Sequence, residues 1–345
     1  MNICIRKMWV VVVALMAPAV SQADDQDLQN NLFYRAIASQ NTITQVVQAD
    51  INNDNHNETL VGYRESGAAN HQQGGGLLIL GKSGSQYKVL WHALFEGLYP
   101  KSISASGDAL TIDFVQPGQK EERIFPRTLI RGRDFFLRTD EGSPLYKAKV
   151  SASSTLNKNT APANVLDGRL DTAWAEGAEG TGVDEELKIE FRKPVDLGLI
   201  GVLPGNYKSM RDWTDNNRLN RVGVTVETSS DRFDAESAVD FGKDLGIGMY
   251  GDRIELNFTN KPVMHYFKLD KRSVVSVNLK ITSVLLGEKH DDTSISEIDF
   301  AELIPAQRLL GEKVDSATRA ISDQKADVKA RTDENKPIPV YDENF

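Results

Sequence analysis

The sequence predicts an all-β protein built as two consecutive β units, and three observations predict it. From Thr42 onwards the chain is a succession of short runs rich in Val, Ile, Leu, Thr, Tyr and Phe, bounded by Gly, Asn, Asp and Ser. That is the pattern of strands joined by tight turns. The runs are interrupted at Glu141-Gly142-Ser143-Pro144 and then resume, which sets a domain boundary within 140–149. The chain has 345 residues, and domains of roughly 100–200 residues bury their own cores, so two units fit the length.

The first 23 residues are read as a signal peptide. Arg6 and Lys7 precede an apolar run from Met8 to Val20, and Ser21-Gln22-Ala23 supplies small residues where signal peptidase reads, so cleavage is expected before Asp24. The run is shorter than the roughly 20 residues that a spanning helix needs, and no other segment qualifies. The expectation is an exported protein, periplasmic or extracellular at the cell surface, and not an integral membrane protein. The only cysteine, Cys4, lies inside this leader. The mature chain therefore has no disulfide, no Cys-ligated zinc and no thiol nucleophile.

Charge narrows the partners. Lys and Arg number 40 against 49 Asp and Glu, for a net charge of −9, and loss of Arg6 and Lys7 makes the mature chain more acidic still. Nucleic acid is excluded as a main partner because phosphate binding needs concentrated basic residues, and anionic lipid surfaces are disfavoured for the same reason.

Within the first unit, 24–145, residues 26–38 place Leu28, Leu32, Phe33 and Ala36 at helical spacing and predict one short helix. Strands are predicted over 43–49, 59–64, 76–80, 87–93, 109–115, 123–131 and 134–138, an antiparallel meander. Between the first two, Asp50, Asn52, Asp54 and Glu58 offer oxygen side chains, and the His56 carbonyl another, in a spacing suited to a hard cation such as structural calcium. The stretch 46–80 resembles the calcium loops of FG-GAP and integrin-type propeller repeats, with Asn55 in place of the usual glycine and Glu58 in place of the closing Asp. Asn tolerates the positive φ such a turn needs. The alternative is a polar hairpin whose Asn and Asp cap the turn.

The second unit, 149–305, carries strands over 187–191, 199–203, 221–227, 253–258, 265–269, 279–286 and 296–302, a spacing that predicts a sandwich. Residues 306–345 are polar and charged, expected as a frayed helix followed by disorder.

Several motifs in this unit occur in a telling order: Ser153-Ser154-Thr155-Leu156, Asp167-Gly168, Asp171-Thr172-Ala173-Trp174, Glu176-Gly177, Glu179-Gly180, Gly205-Asn206-Tyr207, Asn216-Asn217-Arg218 and Ile295-Ser296-Glu297-Ile298. From about 149 to 303 the chain resembles a discoidin, or F5/8 type C, module, and more narrowly the NADase-type glycan-binding domain. Two departures are the order Gly-Asn-Tyr where Asn-Gly-Tyr is usual, and Asp184-Glu185-Glu186 in place of a glycine-led segment. The resemblance implies a galactose-binding-like β-sandwich. By analogy with related sandwiches it nominates Asp167, Asp171, Thr172 and Glu297 for a structural calcium, against an Asx turn without metal.

The residues themselves nominate a glycan site. Glu176 and Glu179 flank glycines that keep their loop small and leave carboxylates to accept sugar hydroxyls, while Tyr207, Arg211, Trp213, Asn216 and Asn217 form an aromatic and amide cluster suited to a sugar face. A solvated loop with one anchoring Trp is the alternative, and Trp174 is read as core. No nucleophile elbow, zinc-protease helix motif or phosphate loop is present; Gly74-Gly75-Gly76 lacks the Lys of the last, and His56, His71, His92, His265 and His290 are scattered. The function expected is non-catalytic binding of a cell-envelope or surface glycan, without an organic cofactor. The alternative is an envelope scaffold that docks another protein.

Overall fold

The computed structural model describes residues 26–301 apart from 53, 67–73, 85, 107–108, 117–123, 132–136, 139–143 and 230–252. The leader, 1–23, and the polar tail, 306–345, lie outside the described residues. The protein is built mainly of strands, as its sequence predicts.

The helix expected over 26–38 is two, α1 (Gln26–Asn30) and α2 (Leu32–Gln40). Asn31 separates them: its extended backbone breaks the first, and its side chain accepts the N–H groups of Phe33 and Tyr34 to cap the second. The break turns the apolar stripe. Leu28 and Tyr34 are buried, whereas Leu32 is 76% and Phe33 59% exposed.

Strands β1 (Asn41–Ala49), β2 (Glu58–Glu65), β3 (Gly75–Ser83) and β4 (Gln86–Phe95) form an antiparallel meander. A second meander, β5 (Tyr99–Ser106), β6 (Ala109–Val115), β7 (Ile124–Arg131) and β8 (Leu137–Arg138), packs on it. The central strands of the first sheet are covered on both faces. Leu60, Leu77 and Ile79 meet Ile103, Ile112 and Phe114 on one side, while Val61, Leu78 and Leu80 meet Leu28 and Tyr34 on the other.

The second unit contains β9 (Lys149–Ala152), β10 (Trp174–Ala175), β11 (Glu186–Pro204), α3 (Met210–Asp215), β12 (Arg218–Thr228), β13 (Arg253–Asn257), β14 (Met264–Leu285) and β15 (Ser294–Ala301). Pairs of strands expected as separate are continuous here: β11 joins 187–191 to 199–203, and β14 joins 265–269 to 279–285. Both serve two layers. Their first meeting, Glu186–Glu190 with Ser276–Lys280, lies beside β9 and β12, and their second, Leu199–Val202 with His265–Lys268, lies beside β15. The passage between layers is made by register shifts from Glu190 to Leu199 and by left-handed Asp270 (φ 52°) and Ser273 (φ 51°). Leu187, Ile189, Val224 and Val277 pack there against Ile200, Val202, Phe267 and Phe300. Leu145, fully buried in the same core, shows that this unit begins before β9.

The two units share a sheet. Ala93, Leu94 and Phe95 of β4 pair in parallel with Met264, His265 and Tyr266 of β14. Phe95 stacks on Tyr266 at 5.0 Å and tilts against Phe114 at 4.7 Å, and Leu199, Leu203, Met264 and Ala301 join the same cluster. Buried on both faces, this part of β11 reads as the unbroken apolar run 197–204. Among the described residues no helix is long and apolar enough to cross a membrane.

Candidate functional site

Four loops of the sandwich meet at one end: the two flanking β10, the one between β11 and β12, and the one between β14 and β15. Backbone bonds stitch them, with Leu156 N–H donating to Ala175, Glu176 N–H to Thr293, Gly205 N–H to Ser294 and Glu288 N–H to Thr214. Every predicted glycan-site residue lies on these loops, but their roles divide sharply.

Glu176 is fully buried. Its Oε1 accepts the Thr293 N–H at 3.1 Å and its Oε2 the Ala178 N–H at 2.8 Å. Burial raises its pKa, and those two N–H groups oppose the rise. Gly182 (φ +73°) closes over it so tightly that a Cβ there would lie 2.5 Å from Glu176 Cγ. The carboxylate expected to face sugar hydroxyls is instead the pin of its own loop, because a buried acid must find donors inside the protein.

Trp213 is 9% exposed. Its indole N–H donates to Pro204 O at 3.0 Å, and Arg218 covers its ring at 4.4 Å. It therefore offers no free face for stacking, correcting its assignment as a sugar platform. Asn217, also buried, donates to Asp291 O at 2.5 Å and accepts the Gly287 N–H at 2.7 Å. Asn216 donates to Asp212 O at 2.7 Å, closing α3. Tyr207 donates to Pro262 O at 2.7 Å and packs on the core shared with the first unit. Two predicted residues face solvent: Glu179, and Arg211, whose side chain is 84% exposed with Asp215 at 3.6 Å.

Arg218, which the sequence shows only as the last residue of Asn216-Asn217-Arg218, organises this end. Its guanidinium, 7% exposed, donates to the carbonyls of Trp213 (2.9 Å), Asn216 (3.0 Å) and Leu286 (3.3 Å) and to Asn260 Oδ1 (3.2 Å). Burial lowers its pKa, and Glu288 opposes this. A buried arginine cannot be distinguished in sequence from a solvated one. Met210 (63% exposed), Leu286 (65%), Leu156 and Val183 add an apolar rim to the same end, also unread in the sequence because isolated apolar residues in loops carry no period.

In both acidic loops the side-chain oxygens accept donors of the loop itself. Asp50 accepts the N–H groups of Asp54 and Asn55, and Asp54 accepts the N–H of His56. Glu58, buried, accepts the Ile51 N–H at 3.0 Å and the Asn52 amide at 2.8 Å. Burial raises the Glu58 pKa, as do the neighbouring Asp54 and Asp50 charges, while the His56 N–H holds that of Asp54 down. Asn55 does adopt the expected left-handed backbone, φ 66°. The oxygens are thus turned to the loop's own donors, as in the capped-hairpin alternative.

In the second loop, Asp167 accepts from Thr172 Oγ1 at 2.9 Å and from the Arg169 N–H, and Glu297 accepts the Gly168 N–H at 3.3 Å. Asp171 is occupied by Arg169 at 2.6 Å, whose hydrogen bond lowers its pKa. The Arg169 guanidinium thus pairs the Asp171 carboxylate. Among the described residues no group of three or more His, Asp or Glu is arranged to hold a metal.

Comparison with known proteins places this geometry. Residues 143–301 match the family described as the NAD glycohydrolase translocation F5/8 type C domain. No curated protein matches the chain. Among solved structures, mycobacterial arabinofuranosyltransferase AftD is similar at 13% identity and TM-score 0.32, over 45% of this chain and 11% of that one. The lectin domain of lectinolysin, complexed with Lewis B antigen, is similar at 12% identity and TM-score 0.34, over 48% of this chain and 99% of that one. An F5/8 type C domain from Bacteroides fragilis is similar at 14% identity and TM-score 0.33, over 48% and 96%. This chain thus spans only a small part of AftD. The ordered motifs, the two-layer sandwich and the match to this family's model all fall on the same stretch, 143–301.

Proposed function

We propose that the chain is an exported, non-catalytic carbohydrate-binding protein whose F5/8 type C domain recognises a cell-envelope or surface glycan at its loop end. The observation that carries this reading is the concentration of buried polar side chains there. Glu176, Asn217, Arg218 and Thr293 are all buried and all bonded to loop backbone. Burying polar groups is costly and contributes little net stability, so their use at one end of a sandwich fits a surface held rigid for a ligand. Glu179 and Arg211 supply an exposed acceptor and donor for sugar hydroxyls, beside the apolar Met210 and Leu286. A non-catalytic role is supported by Glu176, whose burial leaves the pair Glu176 and Glu179 without the two presented carboxylates that glycoside hydrolysis uses.

The test is binding of residues 24–345 to an array of envelope and surface glycans, repeated with Glu179→Ala and Arg211→Ala. Selective binding weakened about tenfold by either substitution supports the reading. Binding to no glycan, or turnover of any of them, overturns it. The exposed apolar rim favours a second reading, docking of an envelope protein at the same end; a partner captured there that resists free glycan would support that one.

A further inference from the structure

The end of the sandwich away from the loops carries a different chemistry. β11 leaves the loop end at Glu186, passes between the layers over 190–199 and returns to the loop end at Pro204, while β14 makes the same passage over 268–274. The passage therefore lies at the opposite end. Both strands break their pairing there, because a strand turning from one layer into the other has to bulge. Val195 and Val274 stay buried and paired, and the Ser273 N–H donates to Asp196 at 2.9 Å, tying the two bulges together. Residues beside these anchors are pushed outward. Arg192, Lys193 and Arg272, from two segments distant in sequence, all become exposed side chains of this one passage.

Nothing in the fold balances these three cations. Among the described residues they form no ion pair and no side-chain hydrogen bond. The neighbouring acids are engaged: Glu190 holds Lys188 at 3.7 Å, Asp270 holds Lys268 at 3.4 Å, and Asp196 accepts the Ser273 N–H. Lys271 is half-buried and has a contact of its own. In a chain of net charge −9, the passage is thus a local reversal of sign, and like charges gathered without a counter-charge repel one another. An anionic group set among them relieves that repulsion and gains charge-assisted bonds, two at once from a guanidinium.

The surroundings select the kind of anion. The exposed large apolar side chains of the described residues lie on α2 and at the loop end, so this patch has no wedge for a bilayer. It presents no aromatic ring on which a base could stack, since Phe191 is buried. A wide anionic surface would also bring the acidic remainder of the chain against like charge. A flexible saccharide bearing phosphate or sulfate groups meets the three cations without doing so.

We propose that this far end is an anion site for a saccharide carrying phosphate or sulfate groups, separate from the loop end. The probes are short dextran sulfate and dextran phosphate, with plain dextran of the same length as control, titrated calorimetrically into residues 24–345. At least one of the anionic dextrans is expected to bind about tenfold or more tightly than plain dextran, and to weaken as salt rises. Arg192→Gln, Lys193→Gln and Arg272→Gln combined should cost a similar factor without lowering the melting temperature, since all three side chains are exposed. In the unsubstituted protein, amide NMR shifts on titration should cluster at 192–197 and 270–274. Equal binding of anionic and plain dextran, no binding of either anionic chain, full binding by the triple variant, or shifts confined to 205–218 and 286–293 would each overturn the proposal. Phosphatidylserine vesicles that bind as tightly as the anionic dextrans, and are lost in the triple variant, would give the patch to a membrane instead. Binding lost in Arg211→Ala but kept in the triple variant overturns the far-end site and leaves the loop-end reading standing.

Discussion

The guanidinium of Arg218 lies 4.4 Å above the ring of Trp213 and donates to that residue's own carbonyl at 2.9 Å. The pair closes the loop end from inside, and it turns the most conspicuous candidate for sugar stacking into a structural anchor. Trp213→Ala is accordingly expected to cost about 3–5 kcal/mol of stability, the usual range for removing a buried aromatic. Urea unfolding followed by tryptophan fluorescence or circular dichroism measures it. A variant with unchanged stability and lost glycan binding would restore Trp213 to the ligand face.

Glu176 makes a second prediction, because its two oxygens satisfy two backbone donors. Glu176→Ala leaves those donors without their partner and should cost about 1–3 kcal/mol. Gly182→Ala should destabilise as well, since the left-handed backbone and the 2.5 Å approach to Glu176 both exclude a Cβ. Thermal melts of both variants decide the matter, and a Gly182→Ala protein melting with the parent would contradict the tight closure.

The junction between the units predicts their dependence on each other. A segment of 143–301 made alone uncovers Leu199, Leu203, Met264 and Tyr266, which the first unit covers in the intact chain. It should melt lower than the chain from residue 24 and bind a hydrophobic dye that the longer chain does not. In the intact chain, Phe95→Ala should cost about 3–5 kcal/mol by emptying the stack on Tyr266.

Acid sensitivity follows from two histidines at the same junction. Burial pushes both His92 and His265 down to about 4, with Lys261 adding to the effect on each and His92 adding to that on His265. Tyr63 bonds His92 at 2.8 Å. The folded chain thus refuses a proton that the unfolded chain accepts below about pH 6.5. Stability should fall as pH drops from about 6.5 to about 4, by up to about 3 kcal/mol per histidine, and level off below. The raised carboxyls of Glu58, Glu96, Asp167 and Glu176 act in the opposite sense, gaining stability as pH falls through their folded values towards the ordinary carboxylate range. Urea unfolding at pH 7 and pH 4.5 of the parent and of His265→Gln isolates the histidine share. Identical pH slopes in the two proteins would remove His265 from the account.

Calcium is the fifth test. Because Asp50, Asp54 and Glu58 already accept N–H groups and Asp171 already holds Arg169, millimolar calcium and a chelator should give the same melting temperature. A rise with calcium that saturates would show that one loop rearranges around the ion.

Much of this protein was legible in its residues. The all-β character, the turn at Asn55, the buried Trp174 and the ordered motifs of the sandwich depend on local alternation, turn chemistry and short spacings, which a sequence displays directly. The helix over 26–38 was legible in kind but not in register, since the capping bond of Asn31 outweighed the apolar stripe. β5 is not legible in the sequence because Tyr99-Pro100-Lys101-Ser102 reads as a loop, and only its pairing with β6 makes it a strand.

What only the tertiary structure decided is exposure. Glu176 and Glu179 stand three residues apart beside similar glycines, yet one is sealed beneath Gly182 and the other faces water. The same holds for Trp213, covered by Arg218 from five residues further along the chain, and for β4, which reaches β14 across some 170 residues of sequence. Local sequence sets which backbone a segment adopts and which faces are apolar. Which of its polar groups remain available to a ligand depends on partners brought from distant segments, because a buried polar group must be bonded by whatever the fold places beside it.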